Sequence, residues 1–106
     1  LGVHLALVAM GGNLGLEIDL GKVPANETLR DDVLLFSESA GRLILTIAPE
    51  NRAQFEKICE NIPCACVGTV TESPVLNIKG QTGRALMSLS VTDLKAAWKR
   101  PFGSLI

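Results

Sequence analysis

From Leu14 to Leu20 the sequence alternates without interruption, with Leu14, Leu16, Ile18 and Leu20 set against Gly15, Glu17 and Asp19. A period of two sends the aliphatic side chains to one face and the carboxylates to the other, so the stretch is predicted as a half-buried strand closed by Gly21. A strand with one wet face needs partners at its edges and cover on its apolar side. Cover is at hand in Leu1 to Met10, which is too continuously apolar for a surface helix yet rich in the helix formers Ala, Leu and Met. Leu1, Leu5 and Val8 share one stripe, and Gly11-Gly12-Asn13 supplies a stop, so a buried helix is expected here.

Further on, Pro24 to Thr28 is turn chemistry, and Thr28 with Asp31 reads as a capping box opening a helix to about Phe36. A polar segment, Ser37 to Arg42, leads into Leu43-Ile44-Leu45-Thr46-Ile47, predicted as a central strand apolar on both faces. Pro49 suits a first helical position, with Glu50 near the dipole's positive end, and Ala53, Phe55, Ile58 and Cys59 give that helix its apolar face until Pro63. Strands are expected over Cys64 to Thr71, Val75 to Ile78 and Ala85 to Leu89, separated by Ser73-Pro74 and by the Lys79 to Gly83 loop. Ser90 with Asp93 caps a last helix through Leu94, Ala97 and Trp98, which Pro101 ends. One helix between two strands implies a crossover, and the later strands on short connections are antiparallel. The fold class is α+β, a mixed β-sheet flanked by helices.

A chain of 106 residues makes one domain, here residues 1–106. Ten basic against eleven acidic residues leave a net charge of −1 with no basic run, which excludes an electrostatically driven nucleic-acid binder and a polybasic membrane anchor. The longest apolar run, Leu5 to Met10, is far short of a membrane span. The expected location is cytoplasmic, and the three cysteines, an odd number without framework spacing, suit a reducing compartment. Apolar residues at 47% beside charged residues at 20% point to surface that another domain or subunit covers, so the chain reads as a piece of something larger.

Ser37 to Arg42 is the segment with the most chemistry, holding two hydroxyls, a carboxylate, a glycine and a guanidinium between a helix and a strand. Arg42 suits a bidentate contact with phosphate or carboxylate, Ser37 and Ser39 add hydroxyl donors, and Gly41 lets backbone approach closely. The alternative is a plain loop closed by a Glu38–Arg42 pair. His4, the only histidine, reads as a hydrogen-bonded core or interface residue. Cys59, Cys64 and Cys66 read as buried free thiols, their spacing being unusual for structural zinc. Glu17 and Asp19 project from one strand face, as a Mg²⁺ pair or as a solvated surface. Trp98 is expected to be a core anchor, and no P-loop is present.

Several blocks together resemble a known family. Leu1-Gly2-Val3-His4-Leu5-Ala6, Gly12-Asn13-Leu14-Gly15 and Glu17-Ile18-Asp19-Leu20 are similar to the helix and strand opening the C-terminal domain of the aminoimidazole ribonucleotide synthetase-related superfamily. Leu35-Phe36-Ser37-Glu38-Ser39-Ala40-Gly41-Arg42 followed by a hydrophobic strand and Pro49-Glu50-Asn51 resembles the phosphoribosylformylglycinamidine synthases in particular. Val67-Gly68-Thr69-Val70-Thr71 and the helix from Ser90 to Lys99 are similar to that family's later strand and final helix. The resemblance implies a three-layer α/β/α domain at the C-terminal end of a multidomain ligase. It would serve the ATP-dependent conversion of formylglycinamide ribonucleotide to formylglycinamidine ribonucleotide, with ammonia from glutamine, in purine biosynthesis. It further implies ATP and Mg²⁺ held mainly by N-terminal domains of the same polypeptide, and a glutaminase subunit and a small bridging subunit as partners. Ser37, Glu38, Ser39 and Arg42 would be phosphate or nucleotide contacts, with no catalytic or metal-binding residue in this domain, and the domain alone would be inactive. Two other readings stand beside this one: another ATP-using member of the superfamily, such as aminoimidazole ribonucleotide synthetase, thiamine-monophosphate kinase, selenophosphate synthetase or a hydrogenase-maturation enzyme, and a non-catalytic interaction domain.

Overall fold

In the computed structural model, which describes residues 1–38 and 40–101, the alternating stretch forms strand β1, Gly15–Asp19. Leu16 and Ile18 are buried and Glu17 is exposed, as the period of two requires, and Leu20 continues the apolar face from a 3-10 turn, Leu20–Lys22. Ahead of β1, helix α1 covers Gly2–Gly12 and buries Leu5 and Ala9. The helix runs through both glycines and is ended by Asn13, which takes the left-handed conformation at φ 56° while its backbone N–H donates to the Ala9 carbonyl. Asparagine tolerates that conformation because its short polar side chain bonds locally; here Asn13 Oδ1 accepts from Lys95 Nζ at 3.0 Å.

Helix α2, Asp31–Phe36, follows, then helix α3, Arg52–Ile58, entered through a 3-10 turn that begins at Pro49. Strands β2 (Gly68–Thr71), β3 (Val75–Lys79) and β4 (Ala85–Ser90) lead to helix α4, Val91–Lys99. The sheet order is β2-β1-β3-β4, with β1 parallel to β3 and both outer pairs antiparallel. Partnered residues share a face, so Leu16, Ile18, Leu76 and Ile78 meet Leu5 and Ala9 of α1, Leu34 and Leu35 of α2 and Val91 of α4 in one core. The other face carries a polar row, Thr69, Glu17, Asn77 and Ser88, in which Asn77 Nδ2 donates to Glu17 Oε1 at 2.7 Å. The α+β class with a mixed sheet and helices is therefore what the chain adopts.

Several local expectations are corrected. Leu43 to Ile47 forms no strand: the segment is extended but unpaired, with Leu43 83% and Leu45 62% exposed, because the two central positions of the sheet are taken by β1 and β3. The crossover therefore runs from β1 to β3, not into this segment. The strand expected from Cys64 begins only at Gly68, and the thiols are not buried: Cys64 and Cys66 are exposed and Cys59 is half-buried. The Thr28 capping box gives way to a helix whose cap position is Arg30, because Asp31 turns instead to the β3–β4 turn, accepting from Gln81 N and Gln81 Nε2. Trp98 is 57% exposed on α4 and lines an open groove with Leu7 and Met10 rather than anchoring the core.

The last helix starts as expected, with Ser90 Oγ accepting from Asp93 N at 3.0 Å. Ser90→Ala removes the acceptor for an otherwise unpaired helix-end N–H and is expected to lower stability by about 1 kcal/mol in urea denaturation, while Ser90→Asp retains it.

Candidate functional site

Helix α2 is short, and it is fixed by burial rather than by length: Leu34 and Leu35 are both in the core. Its C-terminal end is joined to the start of α1, since the Leu1 nitrogen donates to the Leu35 carbonyl at 3.1 Å. Gly2 permits the approach, because a Cβ there would stand 3.3 Å from that same carbonyl. The chain leaves α2 in extended conformation at Ser37, whose N–H donates to the Val33 carbonyl at 3.0 Å, and turns at Gly41 with φ 78°. That left-handed backbone is open to glycine without strain. The end of α2, tied to α1, thus anchors the start of a short polar loop whose far end continues into the unpaired Leu43 to Ile47 segment.

The loop and α1 form the walls of an open cleft of about 920 Å³. His4 and Leu7 line it from α1, and Ser37, Glu38, Arg42 and Ile44 from the other side. Arg42 is half-buried, and its Nη1 donates to the Leu34 carbonyl at 3.4 Å, a long bond that holds the guanidinium over the end of α2. Among the described residues no ion pair joins Glu38 to Arg42, so the loop is not closed by the local pair considered above. Three of the four residues singled out, Ser37, Glu38 and Arg42, therefore share one cleft; Ser39 lies outside the described residues.

His4 was not expected there. Of the two places a lone histidine on an apolar helix suggests, core or interface, the core is excluded: His4 is exposed and lines the same cleft, and its offset from the Leu1, Leu5 and Val8 stripe is the available signal. Glu17 and Asp19 are not a free carboxylate pair: Glu17 bonds Asn77, while Asp19 Oδ1 accepts from Gly21 N at 2.9 Å and Oδ2 lies 3.9 Å from Lys79 Nζ. Among the described residues no group of three or more His, Cys, Asp or Glu side chains is placed to hold a metal ion. Chemically, the cleft offers a guanidinium with donors to spare, a serine and a histidine beside apolar walls, an arrangement suited to an anion carried on a larger body.

Residues 1–81 match the family described as AIR synthase related protein, C-terminal domain. Over all of its length the chain is 35% identical to the phosphoribosylformylglycinamidine synthase subunit PurL of Methanococcus aeolicus and 30% identical to that of Deinococcus radiodurans, covering 14% of each. It is 36% identical over 99 residues to the subunit of the same name from Limosilactobacillus reuteri, covering 93% of this chain and 12% of that one. The chain thus spans about one seventh of the length of the curated relatives it matches. No solved structure matches it.

Proposed function

The chain belongs to the AIR synthase related proteins, as their C-terminal domain, and on that footing we propose that it is the C-terminal domain of a phosphoribosylformylglycinamidine synthase. The observation that carries the proposal is similarity along the whole chain to PurL subunits of organisms as distant as Methanococcus aeolicus and Deinococcus radiodurans. The full enzyme would convert formylglycinamide ribonucleotide, ATP and ammonia released from glutamine to formylglycinamidine ribonucleotide, ADP and phosphate. In this reading the magnesium ion and most of the nucleotide contacts belong to domains preceding this one in the same polypeptide. A glutaminase subunit and a small bridging subunit complete the proposed assembly, in the cytoplasm. Among the described residues no helix is long and apolar enough to cross a membrane.

Within that enzyme, Arg42 and Ser37 are proposed to bind a phosphate of the ribonucleotide or nucleotide, with Glu38 and Ser39 shaping the loop around it. Their role is positioning and charge neutralisation rather than proton transfer. In the full-length enzyme Arg42→Ala is expected to raise the KM of the phosphate-bearing ligand that occupies the cleft by roughly 10-fold or more, the size of a lost charged hydrogen bond of about 1.5–3 kcal/mol. Arg42→Lys should recover only part of it, because an ammonium cannot reproduce the bidentate fork. Unchanged KM values for both ATP and the ribonucleotide would remove Arg42 from the site. The 106-residue chain alone should form no ADP in the presence of ammonia.

One observation favours an interaction role for the same domain: Ile58 is 71% and Ile62 61% exposed, close in sequence to the uncovered Leu43 and Leu45. We assign this apolar surface to packing against the rest of the polypeptide, which is compatible with a ligand cleft. A purely structural domain is distinguished by phosphate titration, in which the chain and its Arg42→Ala variant would bind equally little.

A further inference from the structure

Helix α2 has six residues, too few to hold its shape by its own hydrogen bonds, so its place is set by what grips its two ends. At the C-terminal end three successive carbonyls each hold one part of the cleft. The Val33 carbonyl accepts from Ser37 N at 3.0 Å, the Leu34 carbonyl from Arg42 Nη1 at 3.4 Å and the Leu35 carbonyl from the Leu1 nitrogen at 3.1 Å. The polar loop, the guanidinium and the start of α1 thus all take their bearings from this one end.

The N-terminal end is gripped by the turn between β3 and β4. Asp31, the first residue of α2, accepts through Oδ1 from Gln81 N at 3.1 Å and from Gln81 Nε2 at 2.9 Å. Gln81 Nε2 also donates to the Leu29 carbonyl at 2.6 Å, just ahead of the helix. The turn that carries Gln81 is itself braced, with Gly80 N donating to the Arg84 carbonyl at 2.7 Å and Gly83 N to the Gly80 carbonyl at 3.0 Å. It springs from β3, one of the two central strands of the sheet. Leu34 and Leu35 hold the helix down by burial, which has no direction, whereas hydrogen bonds do. The grip of Gln81 therefore supplies an orientation that burial alone leaves loose.

We propose that Gln81 is a positioning residue for the cleft. It touches no ligand, but by tying the start of α2 to the sheet it sets where the end of α2 presents Arg42 and the Ser37 loop. This inference rests on the reading of that cleft as a phosphate site. A side chain that acts through the placing of another is felt in binding, because a charged donor displaced by a fraction of an ångström no longer meets its acceptor squarely.

The test is made in the full-length enzyme, with KM and kcat measured for ATP and for the ribonucleotide. Gln81→Ala removes both side-chain bonds, and Gln81→Glu removes the same donors and sets a second carboxylate beside Asp31. The Gln81 side chain is exposed, so both variants leave the core intact. Arg42→Ala and the double variant Gln81→Ala with Arg42→Ala complete the set. Gln81→Ala is expected to raise the KM of the same ligand as Arg42→Ala does, by roughly 3- to 10-fold, the size of one lost hydrogen bond. Its kcat should stay within about twofold, as a loss of binding requires. Gln81→Glu should do at least as much. The double variant should be no worse than Arg42→Ala alone, because the group that Gln81 places is already gone. A purely structural role would instead lower the melting temperature and the fraction of active enzyme, so that kcat per mole of protein falls while KM holds, and that result overturns the inference. A raised KM that multiplies with that of Arg42→Ala overturns it too, since Gln81 would then act elsewhere. Parental KM values in both Gln81 variants, beside a raised KM in Arg42→Ala, overturn it and leave the phosphate reading of the cleft standing. Parental KM values in Arg42→Ala overturn both.

Discussion

Gly68→Ala is expected to lower stability by about 3 kcal/mol or more, enough to leave a domain with ordinary stability of about 5–15 kcal/mol near its unfolding threshold. Gly68 opens β2 opposite Ile18 of β1. A methyl group there would be driven into the Glu17 carbonyl oxygen, with the Glu17 carbonyl carbon and Ile18 Cδ1 each at 2.9 Å. A side-chain tip can move aside, but these are mostly backbone atoms of the strand next door, and they move only if the pairing opens. The adjacent Asp19 N–H to Val67 carbonyl bond, 2.8 Å, would open with it. Gly11→Ala is the matched control. A Cβ at Gly11 meets nothing within 4 Å and the residue is helical, so that change should stabilise by roughly 0.5–1 kcal/mol. Urea midpoints that moved alike for the two variants would show that β2 does not pair with β1 in this register.

The second large effect belongs to Leu76→Ala, expected to cost about 2–5 kcal/mol through lost burial and the cavity left behind. Leu76 is 2% exposed in β3, beside Leu16 of β1 and Leu89 of β4, beneath the helices. Leu45→Ala supplies the contrast. The largely apolar stretch from Leu43 to Ile47 predicts a central strand, and on that basis the two substitutions should cost the same. With Leu45 mostly exposed, its loss in this chain should stay within about 0.5 kcal/mol. Denaturation of the three proteins reads the difference directly. Equal losses would place Leu45 in the core and return the segment to the sheet.

That contrast shows which parts of the fold were legible and why. Where a residue's environment is decided locally, the reading held: the Leu14 to Leu20 alternation became β1, Ser90 capped α4, and Val75 to Ile78 lay within β3. Where it is decided by what packs against the residue, the reading failed. An apolar run records that a surface must be covered, but not whether the cover comes from the same domain, and Leu43 to Ile47 and Trp98 were both assigned to the wrong side of that distinction. Thr28 failed for a related reason, since Gln81, about fifty residues away, claims the aspartate of the expected capping box. In the cleft, Ser37, Glu38 and Arg42 stood out because their chemistry is dense along the chain. His4 did not, because its place beside them depends on how α1 is set against α2.

The parallel pairing of β1 with β3 also sets the order in which this chain can fold as it is made. Glu17 and its partner Asn77 are 60 residues apart, which at about 5–20 residues per second separates their emergence from the ribosome by several seconds. Through that interval the apolar face of β1 has neither of its sheet neighbours, since β2 also lies beyond Val67. Helix α1, made just before β1, brings Leu5 and Ala9 to Leu16 and Ile18 before either neighbouring strand exists, and α2 adds Leu34 and Leu35 soon after. A core assembled from such distant contacts closes late, so the almost wholly apolar first helix acts during synthesis as a resident chaperone for the strand that follows it.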